Sequence, residues 1–117
     1  MSEVSDTLLS LLLPEGILNY FELTKANKDA QGLHIHLQEK DIAPEGYERR
    51  ALESKGFLPE SVVQDFPIRG QKAFLYFKRR RWRIISSGFI ITRNWELVAK
   101  GTRITAEFSA FLKGIFG

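Results

Sequence analysis

The stretch Gly70-Gln-Lys-Ala-Phe-Leu-Tyr-Phe-Lys-Arg-Arg-Arg-Trp-Arg83 joins an apolar run directly to five cations and a tryptophan. Its residues from Ala73 to Ile85 are mainly aromatic, β-branched or cationic, without proline or glycine, which favours an extended strand over a helix. Side chains alternate along a strand, so both sides of this one begin apolar and end basic. The pattern predicts a strand whose first half is buried and whose second half, including Arg80 and Arg81, projects past the sheet into solvent.

We call Lys78–Arg83 the basic arm. A row of cations suits a row of phosphates, although a solvated tip that binds nothing has the same composition. Trp82 and Trp95 each fit two roles, either stacking on a base or sugar or packing in a hairpin core. The candidate nucleic-acid-binding residues are Arg69, Lys72, Lys78, Arg79, Arg80, Arg81, Trp82, Arg83, Arg93, Lys100 and Arg103.

Charge is distributed unevenly along the 117 residues, a length that fits a single domain, 1–117. Residues 1–66 hold 6 Lys and Arg against 12 Asp and Glu, a net charge of −6, whereas residues 67–117 hold 11 against 2, a net charge of +9. Such asymmetry indicates a polyanion partner for the basic half. We therefore divide the domain into an acidic helix-plus-hairpin portion, 1–58, and a basic portion, 59–117, that holds a ribbon-like hairpin and a terminal helix.

The absence of cysteine and of long apolar runs limits the class of protein. With no cysteine, a disulfide framework and thiolate chemistry are excluded, and a reducing compartment fits. No apolar run approaches the length of a membrane span, and the acidic start differs from a secretion signal. The expectation is a cytoplasmic protein without a membrane partner.

The first half of the chain predicts one helix and one hairpin. Ser5–Leu13 begins with capping residues and continues into leucines, which predicts a short helix that acts as a core lid or a homodimer contact. Ile17–Thr24 and Leu33–Glu39 have strand character, and the polar segment Lys25–Gly32 between them is typical of a hairpin loop.

The rest of the chain predicts a connector, further hairpins and a last helix. Asp41–Leu58 is charged and irregular, which favours a connector. Glu60–Ile68 is expected to pair antiparallel with the central strand, and Phe89–Trp95 to return after the reversal Ser86-Ser-Gly88. Ala106–Ile115 predicts an amphipathic helix. The predicted fold class is α+β, an antiparallel β-sheet built from hairpins with a short N-terminal helix and a C-terminal amphipathic helix.

The sequence contains no pattern that indicates catalysis or a bound cofactor. His34 and His36 alternate with apolar residues and are expected to point together to the polar side of their strand, where two histidines can ligate a metal. No clear third ligand accompanies them, so the prediction is no metal. Phosphate-binding glycine loops and nucleophile motifs are also absent, so we predict no cofactor and no enzyme activity.

Four segments in this order resemble a known family: Leu13-Pro-Glu-Gly-Ile-Leu-Asn-Tyr-Phe21, Gln64-Asp-Phe-Pro-Ile-Arg-Gly70, Phe77-Lys-Arg-Arg-Arg-Trp82 and Val98-Ala-Lys-Gly-Thr-Arg-Ile-Thr105. Together they make the whole chain similar to the short N-terminal-region proteins of bacterial insertion-sequence transposases of the DDE type. The resemblance implies binding of double-stranded DNA at the element's terminal repeats, with a catalytic transposase polypeptide encoded separately or joined by frameshifting. It also implies an alternative role, an assembly or regulatory subunit that binds this catalytic polypeptide.

Residues 64–105 also resemble, more distantly, the zinc-ribbon module of larger DDE transposases. The Cys-x-x-Cys-Gly knuckle of that module aligns with Ile84-Ile-Ser-Ser-Gly88, so Ile84 and Ser87 stand where the thiolates would be. Neither side chain binds zinc as a thiolate does. The resemblance therefore implies a degenerate zinc-ribbon-like hairpin that lacks the metal.

Overall fold

The computed structural model describes residues 8, 11–13 and 16–95, and this part of the chain consists mainly of β-strands. Its strands are β1 (Phe21–Asp29), β2 (Gly32–Glu39), β3 (Leu52–Phe57), β4 (Ser61–Ile68), β5 (Gln71–Lys78), β6 (Arg80–Ile84) and β7 (Ile90–Thr92). Within the described residues, helical structure is limited to α1 (Ile17–Tyr20), a 3₁₀ turn (Arg49–Ala51) and the helical residues Leu8, Leu11, Leu12 and Trp95. None of the helices described is long and apolar enough to cross a membrane.

The first sheet has the strand order β1-β2-β5-β4. Two of its pairs are the expected antiparallel hairpins, β1 with β2 and β4 with β5. The central pair differs, because β2 and β5 run parallel in a register from Leu33 opposite Ala73 to Gln38 opposite Lys78. The prediction of a purely antiparallel sheet is therefore wrong, and two hairpins distant in sequence join side by side.

The second sheet has the order β3-β6-β7, with both pairs antiparallel. The predicted reversal between β6 and β7 is confirmed, with Gly88 N–H donating to the Ile84 carbonyl at 2.7 Å. The returning strand is shorter than expected, since only Ile90–Thr92 pairs. Strand β3 lies within the segment predicted as a connector, so that prediction is wrong at residues 52–57.

The basic arm does not project into solvent. Strand β5 ends at Lys78 and the chain enters β6 at Arg80, where it becomes the central strand of the second sheet between β3 and β7. Trp82 in the middle of β6 has an exposed fraction of 0%. Burying a tryptophan removes a large apolar area from water, which favours a strand that crosses into a second sheet over one that extends free.

The α1 helix and the β1–β2 turn also differ from expectation. Residues Ile17–Tyr20, predicted as strand, form α1, whose Ile17 is fully buried. Strand β1 then continues through most of the predicted loop, so a turn at residues 30–31 joins it to β2. Predicted helix Ser5–Leu13 contains the three helical leucines described above, and predicted helix Ala106–Ile115 lies outside the described residues.

The main core lies on one face of the first sheet. Phe21 packs edge-on against Phe77, with ring centroids 5.1 Å apart, and stacks on Trp95 at 5.4 Å. Buried aliphatic side chains complete the cluster: Leu13, Ile17, Ile35, Leu37 and Leu75. In the part of the chain that the structure describes, this cluster lies on one face of the first sheet, and the opposite face carries His34, His36, Phe74 and Tyr76.

Candidate nucleic-acid interface

The arginines of β6 are engaged with the protein's own backbone and side chains. Arg81 Nε donates to the Lys55 carbonyl at 3.3 Å, and Arg83 donates to Glu53 at 2.7 Å. Both side chains are half-buried. The expectation that the β6 arginines form a solvent-exposed row is therefore wrong.

Arg80 joins the two sheets. Its Nε and one terminal nitrogen donate to the Glu39 carbonyl at 3.3 and 3.2 Å, and its other terminal nitrogen donates to Ser54 Oγ at 2.7 Å. The guanidinium also lies over the rings of Phe57 and Trp82, at 4.8 and 5.7 Å from their centroids. With these contacts, Arg80 holds the end of β2 against β3 and β6.

Arg93 and Glu39 form a buried ion pair between the same two parts of the fold. Both side chains are 1% exposed, with Arg93 Nε and Glu39 Oε2 3.1 Å apart. Arg93 also donates to Glu45 and to the Ile42 carbonyl, each at 2.6 Å. Burial raises the pKa of the Glu39 carboxyl although the Arg80 backbone N–H and the Arg93 charge oppose it. A guanidinium so enclosed is a structural group.

The two tryptophans both lie inside the fold. Trp95 is 7% exposed and packs on Tyr20 and Phe21. Trp82 has Arg49 and Arg80 over its ring, with the guanidinium carbons 5.3 and 5.7 Å from the centroid. Of the two roles considered for each, these positions favour packing.

The remaining candidates are three exposed residues, one half-buried residue and two residues outside the described part of the chain. Arg69, Lys72 and Lys78 are exposed, and none of them has an ion-pair partner within residues 16–95. Arg79, at the junction of β5 and β6, is half-buried. Lys100 and Arg103 lie outside the described residues.

Arg69 is displayed at the tip of the β4–β5 hairpin. It has a φ of 50° and the following Gly70 a φ of 77°, as expected of a two-residue turn that matches the twist of the strands. Lys72 follows on β5 and Lys78 ends it, so the β4–β5 hairpin carries three exposed cations without an ion-pair partner in the described residues. Of these, Lys78 also begins the basic arm.

The open face, which we define as the side of the first sheet opposite the core, carries four rings among the side chains that the structure describes. Parallel pairing places His34 beside Phe74 and His36 beside Tyr76. His36 and Tyr76 stack with centroids 4.2 Å apart and planes 12° apart, and His34 and Phe74 stack at 5.3 Å and 14°. We call these four residues the ring row.

Hydrogen bonds fix the ring row in place. His34 Nε2 lies 2.9 Å from Asp29 Oδ1, and His34 Nδ1 lies 2.6 Å from the Tyr76 hydroxyl. An ionised carboxylate only accepts, so Nε2 carries the proton and the Nδ1 of a neutral ring accepts from Tyr76. The hydrogen bond from His34 is the main cause that lowers the pKa of Asp29. His36 contacts Glu60 at 3.3 Å.

A cavity of about 770 Å³ lies where the ring row meets the β1–β2 and β4–β5 turns. Its lining includes Lys28, Lys72 and the carboxylate residue Asp29, together with Phe74 and the backbone of Gly32 and Gly70. Lys28 is exposed and has no ion-pair partner in the described part of the chain. Lys28 lies opposite Leu33 in the β1–β2 register and so leaves β1 on the core side, whereas Asp29 and Lys72 lie on the side of the ring row.

The sequence indicated part of the open face but not its assembly. Alternation placed His34 and His36 on one side of their strand, and Phe74 and Tyr76 on one side of theirs. Only the parallel pairing of β2 with β5 brings the two sets together. In the described residues, no three His, Asp or Glu side chains are grouped as a metal site would need.

Comparisons with protein-family models, with curated proteins and with solved structures give no match to this chain.

Proposed function

We propose that this chain is the non-catalytic, DNA-binding N-terminal region of an insertion-sequence transposase, which contacts the element ends through the β4–β5 hairpin. The resemblance of its four sequence segments to that family supports the role. The degenerate zinc-ribbon-like hairpin and the C-terminal amphipathic helix belong to the same proposal. So does location in the cytoplasm, where bacterial DNA lies.

The observation that supports this interface best is the contrast between paired and free cations. Arg80, Arg83 and Arg93 are held by protein acceptors. Phosphate would have to displace those acceptors, whereas the exposed cations of the β4–β5 hairpin exchange only water and counterions for phosphate. Contacts of this kind give affinity and register, with little reading of base sequence.

Reversing two of these charges is expected to weaken duplex binding strongly. We expect Lys72→Glu with Lys78→Glu to lower the affinity for a terminal-repeat duplex by about tenfold or more, and to reduce the salt dependence by roughly two phosphate contacts. Fluorescence anisotropy at several salt concentrations measures both quantities.

A matched control makes the same change of charge on other exposed cations. Arg50 and Lys55 lie near or on β3, with side chains 87% and 44% exposed. Arg50→Glu with Lys55→Glu should leave most of the affinity and the salt slope unchanged. Equal losses in the two double variants would mean that net charge alone drives binding and that the hairpin is not the interface.

The alternative function is an assembly or regulatory subunit that binds the separately encoded catalytic transposase. Leu8, Leu11 and Leu12 are 58%, 76% and 52% exposed. Their spacing of three and four places them on one side of a helix, where a protein partner would bury them.

Leu11→Asp is expected to abolish co-purification with the catalytic polypeptide, because a carboxylate in an apolar contact is costly to desolvate. Duplex binding should be unchanged, since the leucines carry no charge. The Lys72→Glu and Lys78→Glu double variant is the reciprocal control and should still co-purify. If Leu11→Asp co-purifies as well as the wild type, the leucine face is not an assembly contact; light scattering tests the same face for a homodimer.

A further inference from the structure

On the open face, His36, Phe74 and Tyr76 are half-buried and Lys72 and Lys78 are exposed, whereas His34 is only 7% exposed. Lys72 and Lys78 lie on the same side of β5 as Phe74 and Tyr76, because they are separated from them by even numbers of residues. Six residues of extended chain place the two lysines roughly 20 Å apart. The rings therefore lie between two cations, along a line as long as a few nucleotides.

The rings are held rigidly before any ligand arrives. Asp29, His34 and Tyr76 form a hydrogen-bonded chain, and His36 is fixed by Glu60 on one side and the Tyr76 ring on the other. A fixed ring loses little conformational entropy when it binds. His34 covers one face of Phe74 and His36 covers one face of Tyr76, so the other face of each ring is the surface left for a base to stack on.

A duplex cannot use this surface fully. Its bases are already stacked on one another and present only their edges and the phosphates, so the faces of Phe74 and Tyr76 would gain no stacking partner. An unpaired strand presents the faces of its bases and the phosphates together, which is what aromatic residues interleaved with lysines recognise.

We propose that the open face binds an unpaired DNA strand, with bases on Phe74 and Tyr76, and with phosphates held by Lys72 and Lys78 at the two ends of the ring row. This inference rests on the proposed DNA-binding function and names the form of DNA that this part of the interface takes. It adds the ring row to the interface, which the charge pattern of the sequence did not indicate.

The test compares labelled twelve-nucleotide oligothymidine with a twelve-base-pair duplex by fluorescence anisotropy at 50 and 150 mM salt. The wild type is expected to bind the single strand more tightly than the duplex at both. Phe74→Leu keeps apolar bulk but removes the aromatic face, and should weaken single-strand binding about tenfold while duplex binding changes less than twofold. Val62→Ala is the matched control, an exposed residue opposite Tyr76 on β4 that carries no ring, and should change neither affinity.

Cross-linking of the wild type makes the test independent of how a variant folds. Trypsin cleaves after Lys72 and Lys78 and so releases residues 73–78 as one peptide, which contains both Phe74 and Tyr76. Oligothymidine that contains 5-iodouracil should cross-link to this peptide. Cross-links confined to the second sheet would overturn the proposal.

The outcomes separate this inference from the function on which it rests. One outcome is that duplex binding needs Lys72 and Lys78 but the single strand is not preferred. This outcome would overturn the inference about unpaired DNA and leave the proposed DNA-binding role standing. A stronger preference for oligouridine RNA than for oligothymidine would overturn the assignment to DNA. Absence of binding to either DNA at low salt would overturn both.

Discussion

Replacing Glu39 with alanine is expected to lower the free energy of unfolding by about 3–5 kcal/mol, a large share of a small domain's stability. The carboxylate accepts from Arg93 Nε at 3.1 Å and from the Arg80 backbone N–H at 3.1 Å. It is therefore the acceptor that holds β6 and the segment after β7 to the end of β2. Loss of the carboxylate leaves Arg93 Nε buried without an acceptor, with Glu45 and the Ile42 carbonyl as the remaining partners of that guanidinium, and it leaves the Arg80 backbone donor without its partner.

The substitution Glu39→Gln separates the contribution of the carboxylate charge from that of the hydrogen-bond acceptor for the Arg80 N–H. Burial raises the pKa of the Glu39 carboxyl, so holding it ionised already has a desolvation cost, and a neutral side chain of the same shape avoids that cost. Glutamine also keeps one acceptor for the Arg80 N–H. We therefore expect Glu39→Gln to lose less than half as much stability as Glu39→Ala.

Urea unfolding followed by tryptophan fluorescence measures these differences. The control is Glu53→Ala, because Glu53 pairs with Arg83 at 2.7 Å but both side chains are partly exposed, and such a pair is worth less than about 1 kcal/mol. Glu39→Met with Arg93→Met removes both charges and should regain most of the loss. If Glu39→Ala and Glu53→Ala cost the same, the buried pair does not hold the sheets together.

The parts of the fold that the sequence predicted are those determined by neighbouring residues. Alternation in Leu33–Glu39 and the turn Arg69-Gly70 mark hairpins, since a hairpin is closed by a short turn and its register follows from that turn. The parallel pair of β2 and β5 joins residues about forty positions apart, and no local pattern signals it. Strand β3 was missed because its sequence, Leu-Glu-Ser-Lys-Gly-Phe, is charged and contains a glycine.

The charge pattern of the sequence indicated a polyanion interface on the basic arm, whose arginines are engaged with protein acceptors in the structure. A run of arginines has the same appearance whether its partners are phosphates or protein acceptors. Glu39 and Glu53 lie 41 and 30 positions from Arg80 and Arg83, with which they make hydrogen bonds, so the pairing becomes visible only in the folded chain. Trp82 was the residue that indicated the position of this segment. A tryptophan has a large apolar surface, so its presence in a basic run favours a buried strand over an arm in solvent.

The second large effect is expected at Gly32, the first residue of β2, where alanine should cost about 3 kcal/mol. Its φ of 140° is one that residues with a Cβ rarely adopt, and an added Cβ would lie 2.3 Å from the Lys72 carbonyl oxygen. That oxygen belongs to the backbone of β5, so it cannot move away as a flexible side chain would. Alanine would therefore push the parallel pair β2–β5 apart at its first residues, next to the cavity.

Gly56→Ala is the matched control for the conformational part of this effect. Gly56 has a φ of 75°, but an added Cβ there meets nothing within 4 Å, so only the backbone strain of about 1 kcal/mol is expected. The difference between the two variants in urea unfolding measures the close approach of β2 to Lys72. Equal costs would mean that β2 does not approach β5 in parallel at this point, and the ring row, which depends on that pairing, would lose its structural basis.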